Sequence, residues 1–379
     1  MNTLKNLCIS CGGTGGHFYP GLAVALEWKK QGGNVLLMIG GKHAVKQHKT
    51  ASDAGIESVI VDAKPLSGNP VRLMKFFWST FKGVRQCLSA FRKFQPDALL
   101  TMGSYAGIPP YLASRLQGIP LFLHDGNARL GKATMLMSRS AAALALSFPS
   151  PDAERCSCPS LLTGMPLRPE LLAGKTGKAE AVGEINRRWQ CDFSETRFTV
   201  LVFGGSLGAA GINDRCRLPA GFHPDKIQLI HLTGPGKIEE VKQYYREASF
   251  PCLLLEGSPE MHLFYSAADL VVCRAGGSTV SEIACFGKYA MLVPYPFATE
   301  DHQTLNASWL KPAGGVEVIQ ERDLTSDWFL DRLEKILEDP EKYRKLGEGL
   351  AAKAFPDAAQ RVLTLIDQRL TELKEAGKN

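Results

Sequence analysis

Residues 6–28 read NLCISCGGTGGHFYPGLAVALEW, a short apolar run, then glycines, then a second apolar stretch. The run from Leu7 to Ile9 predicts a buried strand, and the apolar spacing from Gly21 to Trp28 predicts a helix. The glycines between them are Gly12, Gly13, Gly15 and Gly16. Because a glycine turn at the positive end of a helix exposes backbone N–H groups, it is typical of an anion site. His17 is the residue of this turn that can move a proton near neutral pH.

The composition is that of an ordinary soluble globular chain, with 379 residues, 45% hydrophobic and 22% charged. This length exceeds one comfortable hydrophobic core and predicts two domains. No apolar run approaches the ~20 residues of a membrane-spanning helix, and no signal-peptide pattern opens the sequence, so we expect a cytoplasmic protein. The net charge of +6 is mild, and the ten cysteines lack the spacing of a zinc site, which predicts reduced thiols.

Apolar runs that read as strands alternate with helical patterns, which predicts parallel sheets covered by helices on both faces. Residues 147–172, rich in proline and small side chains, interrupt this alternation. A second strand–glycine–helix unit, TVLVFGGSLGAAGIND, begins at Thr199. The predicted fold class is therefore α/β, with two Rossmann-like domains facing across a cleft, over residues 1–165 and 166–356. Ligands of such sheets bind at the carboxyl ends of the strands.

A further glycine segment, DLVVCRAGGSTVSEI, runs from Asp269 to Ile283. We expect Ser278 or Thr279 to cap the helix that follows the strand. Glu282, expected in the first turn of that helix, is suited to accept two hydrogen bonds from a vicinal diol such as a ribose. The tripeptide DHQ, which ends at Gln303, follows the next strand and would reach the same sheet edge.

Familiar phosphate motifs are missing from the glycine turns. None has the G-x-x-x-x-G-K-[ST] spacing of a P-loop, and none fits the G-x-G-x-x-G fingerprint of dinucleotide binding. The sequence also lacks a D-x-D tripeptide, which many metal-dependent sugar-nucleotide sites use. Anion sites, a diol acceptor and no metal motif together favour a pyrophosphate-linked sugar nucleotide.

Four motifs together resemble the MurG family: GGTGGHFYPGLAVA, GGSLGAAGIND, RAGGSTVSEIACFGKYAMLVPYP and EDHQTLNA. They follow one another along nearly the whole chain. The resemblance implies a GT-B glycosyltransferase fold and an inverting N-acetylglucosaminyltransferase of peptidoglycan synthesis, and hence of cell-wall growth and division. The implied reaction moves GlcNAc from UDP-GlcNAc to the C4 hydroxyl of MurNAc in undecaprenyl-pyrophosphoryl-MurNAc-pentapeptide, converting lipid I to lipid II. The family also implies that a C-terminal helix, about residues 357–379, returns to the first domain.

The resemblance implies roles for single residues. His17 matches the general base, which the chemistry also requires because the attacking hydroxyl must lose its proton. The implied donor-binding positions are Thr14, Gly15, Gly16, Asn127, Arg168, Ser206, Ser258, Gly277, Ser278, Thr279, Val280, Ser281, Glu282 and Gln303. Candidates on the acceptor side are Gly12, Gly13, Tyr105 and His124. No cofactor or bound metal is expected, because helix N-termini can stabilise the leaving UDP.

The sequence departs from the family pattern at four places. Leu207 replaces the glutamine of GGSQGA, and Ser258 stands where we expect an apolar residue. The family's HEQN reads HDGN here, and MGGY reads MGSY at residues 102–105. These changes bear on the donor geometry and not on the fold.

The stretch from Lys64 to Gln95 contains seven basic residues, six aromatic residues and no acidic residue. Helical spacing places five apolar residues on one face, most of which we expect to pack on the sheet: Phe77, Phe81, Val84, Leu88 and Phe91. The excess of aromatic and basic residues suits contact with an anionic membrane surface. The family attaches peripherally to the cytoplasmic face of the inner membrane, which is the expected location here. No nucleic-acid module accompanies these charges.

The expected partners are UDP-GlcNAc, the lipid-linked MurNAc-pentapeptide acceptor and the membrane surface, with room for other cell-wall synthesis proteins. Three alternatives stay open from the sequence. They are a UDP-sugar-dependent diacylglycerol glycosyltransferase, an NAD-binding oxidoreductase, which the missing fingerprint disfavours, and a sugar-nucleotide-binding module without turnover.

Overall fold

The computed structural model describes residues 3–66, 69–205 and 207–376, which form two parallel β-sheets with helices around them. The first sheet consists of β1 (Asn6–Gly12), β2 (Asn34–Gly40), β3 (Ser58–Val61), β4 (Ala98–Thr101), β5 (Leu121–Asp125), β6 (Ala143–Leu146) and β7 (Ser160–Leu162). The second consists of β8 (Phe198–Phe203), β9 (Ile227–Leu232), β10 (Cys252–Leu255), β11 (Leu270–Cys273), β12 (Tyr289–Leu292) and β13 (Val316–Val318). The α-helices are α1 (Gly15–Lys30), α2 (Ala44–Asp53), α3 (Pro70–Phe94), α4 (Ile108–Gln117), α5 (Lys132–Met137), α6 (Pro169–Ala173), α7 (Lys178–Trp189), α8 (Ala210–Arg215), α9 (Ile238–Tyr244), α10 (Met261–Ala267), α11 (Gly277–Phe286), α12 (His302–Ser308), α13 (Ser326–Glu338), α14 (Pro340–Glu348) and α15 (Ala358–Ala376).

The strand order reverses in the same way in both sheets. The first sheet runs β3-β2-β1-β4-β5-β6-β7 and the second runs β10-β9-β8-β11-β12-β13, with parallel pairing throughout the described strands. Where such an order reverses, connections leave in opposite directions and a crevice opens at the carboxyl ends of the two central strands. Those pairs are β1 with β4 and β8 with β11. The prediction of two Rossmann-like α/β domains is confirmed.

The chain divides into two compact units. One contains the residues up to Pro169 together with those from Phe355 onward, and the other is Glu170–Ala354. These limits differ by a few residues from the expected 1–165, 166–356 and 357–379. The last helix, α15, buries four apolar side chains in the core of the first unit, against strand residues such as Leu7: Val362, Leu363, Ile366 and Leu370.

Helix α1 begins earlier than its apolar pattern indicates. Thr14 is extended, with φ −134° and ψ 169°, and the helical backbone starts at Gly15. The apolar spacing from Gly21 to Trp28 therefore marks only the part of the helix that packs on the sheet. Residues 15–17 form its first turn, so His17 is a helical residue. The His17 N–H is the first to bond back to the Thr14 carbonyl, which leaves the preceding N–H groups at the open end of the helix.

Helix α3 packs along its second half. Cys87 and Phe91 are buried in a core cluster with residues of the sheet, and Gly83 is buried beside Pro109 of α4. Phe77 and Phe81 are exposed. The expectation that most of the five apolar residues pack inward is met by Val84, Leu88 and Phe91. Phe77 and Phe81 share their periodicity but stay exposed. Among the described helices, including this one, none is long and apolar enough to cross a membrane.

Each unit buries a histidine on a strand beside its central pair. His124 lies in β5 and His231 in β9. Because burial disfavours the charged imidazolium, the pKa of His124 falls to about 4 and that of His231 to about 3. The His231 Nε2 contacts Asn213 Oδ1 at 3.2 Å, and its Nδ1 has no partner among the described residues. Both rings are neutral in the folded protein near pH ~7.

We predict that His231→Gln makes folding less sensitive to acid. The unfolded chain takes up protons at these rings below pH ~6.5, whereas the folded chain does not. The free energy of unfolding therefore decreases as the pH is lowered below ~6.5, by about 1.4 kcal/mol per pH unit for each histidine. Glutamine keeps an amide donor but cannot titrate, so urea unfolding between about pH 7 and pH 5 should show a shallower loss of stability.

The control is His43→Gln, at an exposed histidine whose ring stays in water on folding, and it should keep the wild-type slope. Equal losses of stability in wild type and His231→Gln would contradict the prediction.

Candidate active site

The first candidate site lies at the strand-order reversal of the first unit. Strands β1 and β4 are neighbours, so the residues that follow them meet at one edge of the sheet. The glycine turn and His17 follow β1, and residues 102–105 follow β4. The structure thus brings four of the sequence-predicted positions to one place in this unit: Gly12, Gly13, His17 and Tyr105.

The glycine turn is built on close backbone contacts. A Cβ at Gly12, where φ is 120°, would lie 2.4 Å from the Gly40 carbonyl oxygen. The Gly13 N–H donates to that same oxygen at 2.9 Å. A Cβ at Gly41 would lie 2.8 Å from the Tyr105 hydroxyl oxygen and 2.9 Å from Gly13 Cα. The turn, the end of β2 and Tyr105 therefore form one packed group that only glycines allow.

The imidazole of His17 is oriented by the main chain. Its Nδ1 lies 2.8 Å from the Met102 carbonyl oxygen at the end of β4. Because a carbonyl only accepts hydrogen bonds, Nδ1 carries the proton and the neutral ring keeps its lone pair on Nε2. The side chain is half-buried and stands in the first turn of α1. This arrangement leaves Nε2 able to accept a proton.

Asp125, at the end of β5, organises the loop beside His17, although no sequence motif assigned it a role. Its carboxylate accepts hydrogen bonds from the N–H of Asn127 at 3.2 Å, the N–H of Gly131 at 3.0 Å and the hydroxyl of Thr134 at 2.7 Å. Burial raises its pKa, while these donors and the nearby His17 oppose that rise. Asn127, half-buried, is thereby fixed through its backbone. An aspartate at the carboxyl end of a predicted strand was the available signal.

His124 does not line the edge of the sheet. It is fully buried, with Nε2 at 3.1 Å from Ser147 Oγ and 3.4 Å from the Gly164 carbonyl oxygen. Its proposed place among the acceptor contacts is therefore indirect, since the ring supports β5 from within the core.

Arg168 and the start of α1 meet through an aromatic ring. The Arg168 guanidinium lies 5.3 Å from the ring centre of Tyr19, close enough for a cation–π contact. A Cβ at Gly15 would be 3.5 Å from the same ring, and Thr14 and Gly16 beside it are exposed. This half-buried arginine is a positive charge at the open end of the helix.

In the second unit, the glycines after β8 serve packing. A Cβ at Gly204 would lie 2.1 Å from the Ala209 nitrogen, and one at Gly208 would lie 2.4 Å from the Thr233 carbonyl oxygen. Ser206 falls outside the described residues, and the Leu207 side chain is exposed. The turn lets the chain fold closely back against the end of β9.

The carboxylate of Glu321 lies against the first turn of α8, the helix that follows this turn. A Cβ at Gly211, in α8, would lie 2.0 Å from Glu321 Oε1. The Arg215 guanidinium donates to the Glu321 carbonyl oxygen at 2.7 Å, and Arg274, at the end of β11, pairs with Glu321 Oε2 at 2.5 Å. Arg274 also donates to the carbonyl oxygens of Val293 and Pro294. Sequence spacing gave no signal for this cluster, because its members lie far apart along the chain.

The sequence places the expected anion site of the second unit at the start of helix α11. Gly276 is the N-cap residue and the helix begins at Gly277, so the expected cap at Ser278 or Thr279 is wrong; both lie inside the first turn. The expected place of Glu282 in that turn is wrong as well, since no acidic residue occurs there. The open N–H groups of α11 therefore face no carboxylate of its first turn.

The remaining donor-side positions lie in α11 or on neighbouring segments. Val280 is buried and Ser281 half-buried. The Tyr265 hydroxyl donates to Glu282 Oε2 at 2.8 Å, and the Tyr295 N–H donates to Gln303 Oε1 at 2.9 Å. Ser258 Oγ accepts from the Glu260 N–H at 3.0 Å in the turn before α10. Each polar group is thus held by a protein partner in a defined orientation. In the described residues no group of three His, Cys, Asp or Glu could hold a metal ion.

The chain matches models of known families over most of its length. Residues 7–146 match the glycosyltransferase family 28 N-terminal domain, and residues 199–362 match the glycosyltransferase family 28 C-terminal domain. It is 31% identical over 366 residues to the UDP-N-acetylglucosamine--N-acetylmuramyl-(pentapeptide) pyrophosphoryl-undecaprenol N-acetylglucosamine transferase of Thermodesulfovibrio yellowstonii, covering 96% of this chain and 98% of that one. The protein of the same name from Burkholderia pseudomallei is 33% identical over 383 residues, covering 95% of each chain.

Solved structures agree with this assignment. The crystal structure of Acinetobacter baumannii MurG aligns with a TM-score of 0.74 and 28% identity, over 96% of this chain and 99% of that one. UDP-GlcNAc 2-epimerase from Neisseria meningitidis, bound to UDP-GlcNAc, aligns with a TM-score of 0.69 at 13% identity, over 97% and 100%, and shows the shared fold. With both family 28 domains in order and relatives matched end to end, the chain belongs to the MurG family of glycosyltransferases.

Proposed function

We propose that the chain transfers GlcNAc from UDP-GlcNAc to the C4 hydroxyl of MurNAc in undecaprenyl-pyrophosphoryl-MurNAc-pentapeptide. The relatives that match it from end to end carry the name of this reaction. The observation that carries the proposal is the orientation of His17, whose Nδ1 is tied to the Met102 carbonyl so that Nε2 is the basic atom. An inverting transfer needs one such base on the acceptor side.

The reaction assigns a task to each group. The acceptor oxygen attacks the anomeric carbon while the bond from that carbon to the UDP oxygen breaks, and the hydroxyl proton passes to His17 Nε2. The open N–H groups of α11 stabilise the charge that develops on the diphosphate. Glu282, oriented by Tyr265, accepts from the ribose hydroxyls, and Gln303 and Asn127 contact the donor sugar. No step requires a metal ion.

We predict that His17→Ala lowers kcat by about 100- to 10,000-fold, because the attacking hydroxyl loses its proton acceptor. Transfer is measured from UDP-GlcNAc to a lipid I analogue in detergent, with an acceptor-free reaction as blank. Wild type should release UDP and form a β-linked disaccharide only when acceptor is present. Binding of UDP, followed by calorimetry, should be unchanged in the variant.

His43→Ala is the control, since it removes an exposed histidine from the loop before α2 and should keep wild-type turnover. Near-wild-type kcat in His17→Ala would remove His17 from the mechanism. Turnover of diacylglycerol, or binding of NAD in place of UDP, would overturn the proposed reaction.

We also propose that the first half of α3 contacts an anionic lipid surface. Met74, Phe77, Trp78 and Phe81 are 55–73% exposed and follow one another at helical spacing. Arg72, Lys75, Lys82 and Arg85 are exposed around them, and Asp62 pairs with Lys82. Aromatic side chains ringed by cations are the pattern of an interfacial helix, and each cation near the surface contributes about 1 kcal/mol.

We predict that Trp78→Glu abolishes most binding to anionic vesicles, because it places a carboxylate in the apolar contact. Flotation is measured with vesicles of phosphatidylglycerol and phosphatidylcholine and with phosphatidylcholine alone. Wild type should float with the anionic vesicles, and less so at high salt.

Val45→Glu, which alters a single exposed apolar residue of α2, should float like wild type. Equal, negligible flotation of wild type with both kinds of vesicle would exclude the proposed contact, and equal flotation of Trp78→Glu and wild type would place it elsewhere.

A further inference from the structure

Ser104 has a backbone conformation that belongs to glycine. It lies two residues after Met102, with φ 71° and ψ 157°. Other non-glycine residues with positive φ, such as Gln190 (φ 54°, ψ 42°) and Asp301 (φ 52°, ψ 33°), lie in the ordinary left-handed helical region. The region that Ser104 adopts is populated almost only by glycine, so a side chain there is strained.

Hydrogen bonds from backbone N–H groups on both sides of Ser104 hold it in this conformation. The Met102 N–H donates to the Ser10 carbonyl oxygen at 2.9 Å, and the Gly103 N–H donates to Thr101 Oγ1 at 3.2 Å. On the other side, the Gly107 N–H donates to the Ser104 carbonyl oxygen at 3.2 Å. A loop fixed at both ends leaves residue 104 no freedom to relax, and glycine would fit it with less strain.

The Ser104 hydroxyl makes only a weak hydrogen bond within the protein. Its oxygen accepts from the Ala106 N–H at 3.5 Å, the outer limit for such a bond. In the part of the chain that the structure describes, the hydroxyl proton has no acceptor. The local hydrogen bond therefore does not offset the strain of placing a side chain at this position.

The hydroxyl faces the glycine turn. Ser104 Oγ is 3.1 Å from the point that a Cβ of Gly13 would occupy, and atoms of the Tyr105 ring lie 3.8–3.9 Å from that point. His17 approaches from the other side, with Cε1 3.8 Å from the Cβ position of Gly103. A half-buried hydroxyl with an unused proton thus lies among the groups assigned to the acceptor side.

We propose that Ser104 is a specificity residue whose hydroxyl donates a hydrogen bond to an oxygen of the sugar-phosphate acceptor. This inference rests on the proposed function of the same site. Strained residues that their surroundings hold in place concentrate at substrate contacts, where a fixed orientation favours binding. The bound acceptor supplies the partner that the hydroxyl proton lacks in the protein.

Two variants separate the effect of the hydroxyl's contact with the acceptor from the effect of the backbone strain at residue 104. Ser104→Ala keeps the Cβ and the strain but removes the hydroxyl, whereas Ser104→Gly removes both. We expect kcat/KM for the lipid I analogue to fall by about three- to tenfold in both, as the loss of one hydrogen bond would cause. The KM for UDP-GlcNAc should be unchanged. The melting temperature should rise in Ser104→Gly and not in Ser104→Ala, because only the first relieves the strain.

A Ser104→Gly protein that keeps the wild-type kcat/KM for the acceptor would overturn the proposal and leave Ser104 a structural residue. A rise in the donor KM alone would also overturn it. If wild type shows no transfer, the proposed function fails, and the rise in melting temperature caused by the lipid I analogue then tests the contact alone. An equal rise in wild type and Ser104→Ala, or no rise in either, would refute the contact.

Discussion

The first unit depends on one close approach, that of the backbone at Gly12 to the Gly40 carbonyl. A side chain at residue 12 would collide with that oxygen at 2.4 Å, so only glycine lets the chain leave β1 beside the end of β2. From there α1 starts at Gly15 and carries His17 to the end of β4, where the Met102 carbonyl fixes its tautomer. The basic atom is thus positioned by main-chain packing, which changes little when side chains move.

Three helices that follow central strands, α1, α8 and α11, differ in whether a carboxylate lies at their N-terminus. The first turns of α1 and α11 contain no acidic residue, and both follow a central strand of their sheet. Helix α8 also follows a central strand, but Glu321 lies against its first turn and is held there by Arg215 and Arg274. A carboxylate at a helix N-terminus satisfies the same positive potential that an anion would use. Of the helices that follow the two central strands of the second unit, α11 rather than α8 is therefore the one that suits the proposed diphosphate contact.

The sequence predicted the parts of the fold that depend on local pattern. Both strand–glycine–helix units and the parallel sheets follow from apolar runs such as NLCISC and TVLVF, because fully buried strands are apolar on both faces. Helix starts were missed where the first turn is glycine or small, as at Gly15 and Gly277, because such residues carry no periodic signal. The partners of Asp125 and Glu321 could not be predicted either. Their positions depend on tertiary packing between segments that sequence spacing does not relate.

The exposed aromatic residues of α3 show that helical periodicity alone does not determine which apolar residues are buried. The helix has 25 residues and is about 37 Å long, whereas β4 has four residues and spans about 13 Å. The sheet can cover only part of such a helix, so the same apolar spacing is buried in one half and exposed in the other. Because a helix after a parallel strand begins at the carboxyl edge of the sheet, the exposed half lies on the edge that also holds His17. This arrangement suits the proposed lipid-linked acceptor, because its sugar can reach the proposed base while its lipid remains in the bilayer.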